Sequence, residues 1–281
     1  MELFLFVLPF LVLISWTISN SLIKGGLKSL DSGIVSLMIV GMGLIPISIY
    51  FIIFHNAALS LPVLILGIIS GILIGTGYIL FYKGLGVESL SSAGVTINLQ
   101  QIIVILIAIF FLSENGTVFE YIGIGCIVAG AILVTIQNAP AKRKYLMIAG
   151  LANIIWGIYY LPLSESIMIA HLSSISLFLG RLFGTLFIIG FELITFHKST
   201  VAVNRRALYF VGLAGIFDGI GNVFYSFAIQ EGVFITSGAI VALLPATLAI
   251  IGFIYYRDRI TPLKVIGISV SVIGALIISI L

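Results

Sequence analysis

Ala139-Pro140-Ala141-Lys142-Arg143-Lys144 is the stretch on which the reading of this chain turns. It sets a proline and three consecutive cations between two apolar blocks of similar length. The chain has 281 residues, 61% of them hydrophobic and 8% charged, whereas a soluble globular protein carries about a quarter charged residues. A short basic hinge in so apolar a chain reads as a loop between two membrane-embedded halves. Outward from it, apolar runs long enough to cross about 30 Å of hydrocarbon follow one another with only short gaps. They cover approximately 3–23, 33–54, 61–82, 90–112 and 118–137 before the hinge, and 146–165, 173–196, 207–230, 234–256 and 262–281 after it. Ten such runs leave no room for a soluble domain. The first is read as a retained span and not a signal peptide, because it lacks a basic leading region and a small-x-small cleavage site, and it carries Trp16 and Asn20.

The cations confirm the threading. Of the 13 Lys and Arg residues, all but Arg181 fall in every second gap: Lys24, Lys28, Lys83, Lys142, Arg143, Lys144, Lys198, Arg205, Arg206, Arg257, Arg259 and Lys264. A chain that crosses a bilayer repeatedly keeps such residues on the cytoplasmic side. The odd-numbered loops are therefore expected in the cytoplasm of a cell carrying the protein in its plasma membrane, with both termini outside. The opposite face carries Glu2, Glu114, Glu120, Glu165 and Glu231. Cations scattered over five short loops argue against nucleic-acid binding. One cysteine, Cys126, permits no internal disulfide and belongs to no metal-ligand cluster.

The halves repeat. A shift of 140 pairs Trp16 with Trp156, Ile18 with Ile158, and Ser36-Leu37 with Ser176-Leu177. A shift of 144 pairs Gly71 with Gly215, Gly75 with Gly219, Gly77 with Gly221, Gly94 with Gly238, Gly123 with Gly267 and Gly130 with Gly274. With glycine at 30 of 281 positions, about one such coincidence is expected by chance over the aligned stretch. Six argue for duplication. Five spans per half is an odd number, so the second half enters the membrane the other way up. The expected fold is an all-α integral membrane protein of ten transmembrane helices, arranged as two inverted five-helix repeats, an architecture common among secondary transporters.

At this point the chain resembles the drug/metabolite transporter superfamily, of the ten-span EamA type. The resemblance rests on the tryptophan of each half's first span (Trp16, Trp156) and on Arg181 in Leu179-Gly180-Arg181-Leu182-Phe183. It rests also on Pro245 in Ala242-Leu243-Leu244-Pro245 and on an acidic residue ahead of a Gly-rich fifth span (Glu114, Asp258). It covers essentially the whole chain: 1–138 as a first EamA-like repeat, 139–145 as a basic cytoplasmic linker, and 146–281 as the second, inverted repeat. Gly41 stands at the first-half position matching Arg181, and Gln101 at the one matching Pro245. Many members of that family are expected to keep both termini in the cytoplasm; the charge bias here places them outside.

Polar residues inside the spans are the candidate pathway. By helical rise, Arg181 lies ~12 Å and Asp218 ~18 Å from the non-basic face. The pair reads either as a structural ion pair or as a functional one, with Arg181 anchoring a substrate carboxylate or phosphate, or Asp218 coupling protons. Asp218, Asn222 and Tyr225 recur at i, i+4 and i+7, as do Asn153, Trp156 and Tyr160 in span six, while Trp16 and Asn20 are four apart in span one. Such stripes read as a lining for a small polar solute, or as helix–helix hydrogen bonding. Asn98 and Gln101 join them from span four, Gln101 being favoured over Gln100 because it matches Pro245. Pro245 frees a backbone carbonyl and can kink span nine, either as a gate or as a static bend.

No phosphate-binding loop, HExxH, GxSxG or paired-carboxylate signature occurs, so no enzymatic site and no cofactor are expected. The function expected is secondary transport of a small polar metabolite, such as an amino acid, sugar or related solute. Transport would proceed by alternating access, and the family resemblance slightly favours export. The alternative is a channel, or a lipid-handling or structural subunit. The expected partners are the lipid bilayer and a small-molecule substrate.

Overall fold

The computed structural model describes residues 2–23, 30–54, 59–85, 90–114, 116–135, 143–195, 204–256 and 261–280. Most of the linker, 139–142, lies outside them, as do Lys24, Lys28, Lys198, Arg257 and Arg259. The described residues fold as eleven helices: α1 (Glu2–Ile23), α2 (Ser32–Ile53), α3 (Leu61–Leu85), α4 (Leu90–Phe110), α5 (Val118–Thr135), α6 (Arg143–Ala170), α7 (Ser173–Thr195), α8 (Arg205–Gln230), α9 (Phe234–Val241), α10 (Leu244–Tyr256) and α11 (Pro262–Ile280). Helix is what an apolar chain must adopt in lipid, since every backbone polar group has to be satisfied within the segment. Among the described residues, seven segments are long and apolar enough to cross a membrane: α1, α2, α3, α6, α7, α8 and α9 with α10 taken together. Helices α4, α5 and α11 contribute shorter apolar stretches, Gln100–Phe110, Val118–Gly130 and Pro262–Ile278. The length criterion thus supports seven of the ten expected crossings.

Span nine is broken. Pro245 has no N–H to return to Val241, four residues earlier, so the regular ladder fails there. The chain tightens into three-residue turns, with the Leu243 N–H on the Ile240 carbonyl at 3.0 Å and the Ala246 N–H on Leu243 at 2.9 Å. Regular helix resumes as α10.

Other helix starts are capped by side chains. Asp31 accepts from the Gly33 N–H at 2.9 Å, and Asn204 from the Arg206 N–H at 2.9 Å. Thr117 and Glu120 form a reciprocal capping box at the start of α5, at 2.6 and 3.2 Å. The first amides of α9 take their acceptor from the other repeat: Glu114 accepts from Phe234 N–H at 3.2 Å and Ile235 N–H at 2.8 Å.

Packing follows the duplication. Where α1 lies on α8, its counterpart α6 lies on α3; α2 lies on α8 as α7 lies on α3; α4 lies on α6 as α9 lies on α1. The self-paired contacts α2–α7, α4–α9 and α5–α11 cross between the repeats. At α5–α11 the backbones approach so closely that a Cβ on Gly123 would sit 2.7 Å from the Gly274 carbonyl, so only glycine fits. The outer faces are apolar and uncovered, with Ile194 86% and Phe110 73% exposed. The surface is built for hydrocarbon.

Candidate solute cavity

Arg181 on α7 is completely buried. Its Nε donates to the Val40 carbonyl and its Nη2 to the Ile39 carbonyl, each at 3.1 Å, while Nη1 reaches the Tyr78 hydroxyl at 3.3 Å. Nη2 also closes an ion pair with the Asp218 carboxylate. The guanidinium fits between α2 and α8 because Gly43 has no side chain; a Cβ there would occupy the space of Nη2. Tyr78 completes the cluster by donating to Asp218 Oδ1 and Oδ2 at 2.7 and 2.8 Å. Asn222 spends its Nδ2 mainly on the Asp218 carbonyl at 2.8 Å, with the carboxylate 3.4 Å away.

Asp218 is also part of the lining of a cavity between α1, α3, α4, α6, α8 and the start of α10. Of the residues expected from the sequence, Trp16, Asn20, Asn153, Trp156, Tyr160, Asp218 and Asn222 line it. Four stand elsewhere. Arg181 lies behind Asp218, without exposure and outside the lining, so in this conformation the expected substrate-anion anchor is a fully engaged partner of the carboxylate. Gln101 accepts from the Tyr225 hydroxyl at 3.1 Å, and both side chains are buried away from the cavity. Gln100, one residue earlier and about 100° round the helix, takes the lining place expected for Gln101. Pro245 is not in the lining; the break it causes presents Leu244 instead. Asn98 lies on α4 outside the described side chains.

The sequence reading missed Ser19, Ile23, Ile74, Tyr78, Phe81, Tyr82 and Tyr159. The signal for part of this wall was the repeat itself. The 144-residue shift carries the stripe Asp218, Asn222, Tyr225 onto Ile74, Tyr78, Phe81. The two tryptophans are also symmetric in packing: each indole fills the space over a glycine of the other repeat, Trp156 over Gly77 and Trp16 over Gly221. They differ in one respect. Trp16 Nε1 reaches the Asp218 carbonyl at 3.4 Å, whereas Trp156 Nε1 has no hydrogen-bond partner, and neither has the Tyr159 hydroxyl.

Comparison with known proteins agrees with this architecture. The model of the EamA-like transporter family matches twice, over residues 3–136 and 143–280. The chain belongs to the EamA-like transporter family. It is a multi-pass membrane protein of the drug/metabolite transporter type, all-helical among the described residues and built from two copies of the family unit. A crystal structure titled only as that of a protein shares the fold, with a TM-score of 0.74 over 97% of this chain and 95% of the other, at 16% sequence identity. No curated protein sequence matches.

Proposed function

We propose that this EamA-like chain is a secondary transporter that moves a small polar metabolite by alternating access, with all ten predicted segments crossing the plasma membrane as inverted repeats. The observation that carries the reading is an asymmetry in the cavity wall. Most lining residues occur as repeat-related pairs: Trp16 with Trp156, Ser19 with Tyr159, Asn20 with Tyr160, Ile74 with Asp218, Tyr78 with Asn222, and Gln100 with Leu244. Four lining residues have no repeat equivalent in the wall: Ile23, Phe81, Tyr82 and Asn153. Ile23 ends α1, Phe81 and Tyr82 precede Lys83, and Asn153 lies ten residues from the start of α6 at Arg143. All four lie toward the helix ends that carry the basic loops. Their repeat equivalents Leu163, Tyr225, Ser226 and Leu13 are buried and are not part of this lining.

A symmetric central site with an asymmetric extension is what an alternating-access protein presents in one of its two states. In this one the cavity extends toward the basic, cytoplasmic side. Around Tyr225 the opposite end is filled by Tyr160 and Phe234, at ring separations of 5.0 and 5.4 Å, and by the bond to Gln101. Exchange of the repeats' roles would empty that end and fill the first. The break before Pro245 supplies a joint at the depth of the cavity and is proposed as the gating element.

The test is solute counterflow in proteoliposomes of the purified full-length chain. Preloading with a transported solute should accelerate uptake of its labelled form several-fold over unloaded vesicles and saturate with concentration. Conductance far above carrier rates, with no effect of preloading, would instead identify a channel.

A further inference from the structure

The cavity's chemistry is uneven in a way that selects a substrate class, and the inference rests on reading this cavity as the transport site. Asp218 is the one carboxylate that reaches the wall among the described residues; no Lys, Arg or His does, and Arg181 is sealed behind the carboxylate. A solute anion entering here meets a carboxylate and no accessible cation.

Seven of the other fifteen lining residues are aromatic. Trp156 contacts Tyr78 and Phe81 at ring separations of 4.8 and 4.7 Å, Tyr82 lies against Phe81 at 5.4 Å, and Trp16 and Tyr160 add two further rings. Ring faces carry negative potential and attract cations, most strongly where water is excluded. The amides tilt the same way: Asn20 and Asn222 each donate Nδ2 to a backbone carbonyl one turn back, at 2.8 Å, leaving the carbonyl oxygen as the acceptor end. Two donors of the wall are buried with nothing to bond, Trp156 Nε1 and the Tyr159 hydroxyl. Buried donors left unmade are costly, so a ligand that supplies an acceptor is favoured.

We propose that the cavity binds a small organic ammonium cation that also carries a hydrogen-bond acceptor: the ammonium among the rings beside Asp218, the acceptor toward Trp156 Nε1 and Tyr159 Oη. An amino alcohol with an alkylated nitrogen meets both requirements. A simple carboxylate or an uncharged sugar does not.

The chain provides its own reporter, because both of its tryptophans, Trp16 and Trp156, line the cavity. Intrinsic fluorescence of the purified full-length protein would be titrated with three probes of one shape: (2-hydroxyethyl)trimethylammonium, its uncharged carbon isostere 3,3-dimethylbutan-1-ol, and the anion 3,3-dimethylbutanoate. Saturable quenching is expected with the cation and at least tenfold weaker response to the other two. Tyr82→Leu should weaken the cation about tenfold while Tyr82→Phe keeps it, as loss of a ring beside a desolvated cation predicts. Equal binding of the alcohol overturns the charge selection and leaves the transport site standing, as an aromatic pocket for neutral solutes. Binding of the anion alone overturns it and returns Arg181 to the role of anchor. If no probe changes the fluorescence but counterflow of another solute does, the substrate class is wrong; if neither is seen, the reading of the cavity as a transport site falls with it.

Discussion

Arg181 enters the bundle at a desolvation cost of several kcal/mol, which geometry has to offset. The offset is visible: two backbone carbonyls of α2, a tyrosine hydroxyl and a carboxylate all accept from one guanidinium. The weak point of such a cluster is its dependence on every member, because removing one partner strands the other in a low-dielectric interior. Asp218→Asn should therefore lower stability by about 3–5 kcal/mol, and Arg181→Met in the same chain should restore much of the loss. The check is the thermal unfolding midpoint of the three proteins in one detergent; a single variant that melts with the wild type would show that the pair holds nothing. At this scale the sequence was half legible. A lone Arg and a lone Asp in neighbouring apolar spans announce each other by their cost. Tyr78, which binds both, looks like any other tyrosine in a hydrophobic helix until the repeat aligns it with Asn222. Gln100 and Gln101 were unreadable for a simpler reason: adjacent residues point about 100° apart, and no boundary derived from hydropathy fixes a helix's rotation.

Among the elements, span nine is where sequence and structure part most. Hydropathy gives one continuous run, and only Pro245 hints that it is two helices. That the short first piece is capped by the other repeat could not be read at all, since Glu114 lies 120 residues from Phe234 in sequence. The cap has a pH signature. Burial of Glu114, in the loop between α4 and α5, raises its pKa above the ordinary 4.5; the amides of Ile235 and Phe234 oppose the rise and nearby Glu120 adds to it. A carboxyl whose folded-state pKa is raised binds its proton more tightly when folded. Its contribution to stability is complete below about pH 4.5 and is lost as pH climbs through the raised value. Glu114→Gln removes that dependence. The midpoint of the variant relative to wild type should accordingly move upward as pH rises from the ordinary carboxylate value, then level off. Unfolding curves for both proteins over pH ~4 to ~7.5 test this, and a constant difference throughout would mean the carboxyl titrates as if unburied.

Taken whole, the molecule is a symmetric bundle around an asymmetric cavity. The symmetry was legible from glycine and tryptophan spacing; the asymmetry was not, because it is a property of one conformation and not of the chain. It makes the orientation and the mechanism testable together. Ile23 lines the cavity and its repeat equivalent Leu163 does not, though both are nearly fully buried. In a Cys126→Ala background, Ile23→Cys should react with a membrane-impermeant thiol reagent in inside-out vesicles and stay silent in right-side-out ones. Leu163→Cys should be silent in both at rest. With a transported solute cycling, Leu163→Cys should become reactive from the outside while Ile23→Cys slows, since each state opens one end by filling the other. Reaction of Ile23→Cys from the outside would overturn the topology drawn from the basic loops. If Leu163→Cys stays silent while counterflow proceeds, the exchange of roles between the repeats is not how the solute crosses, and a fixed path through this cavity would have to carry it.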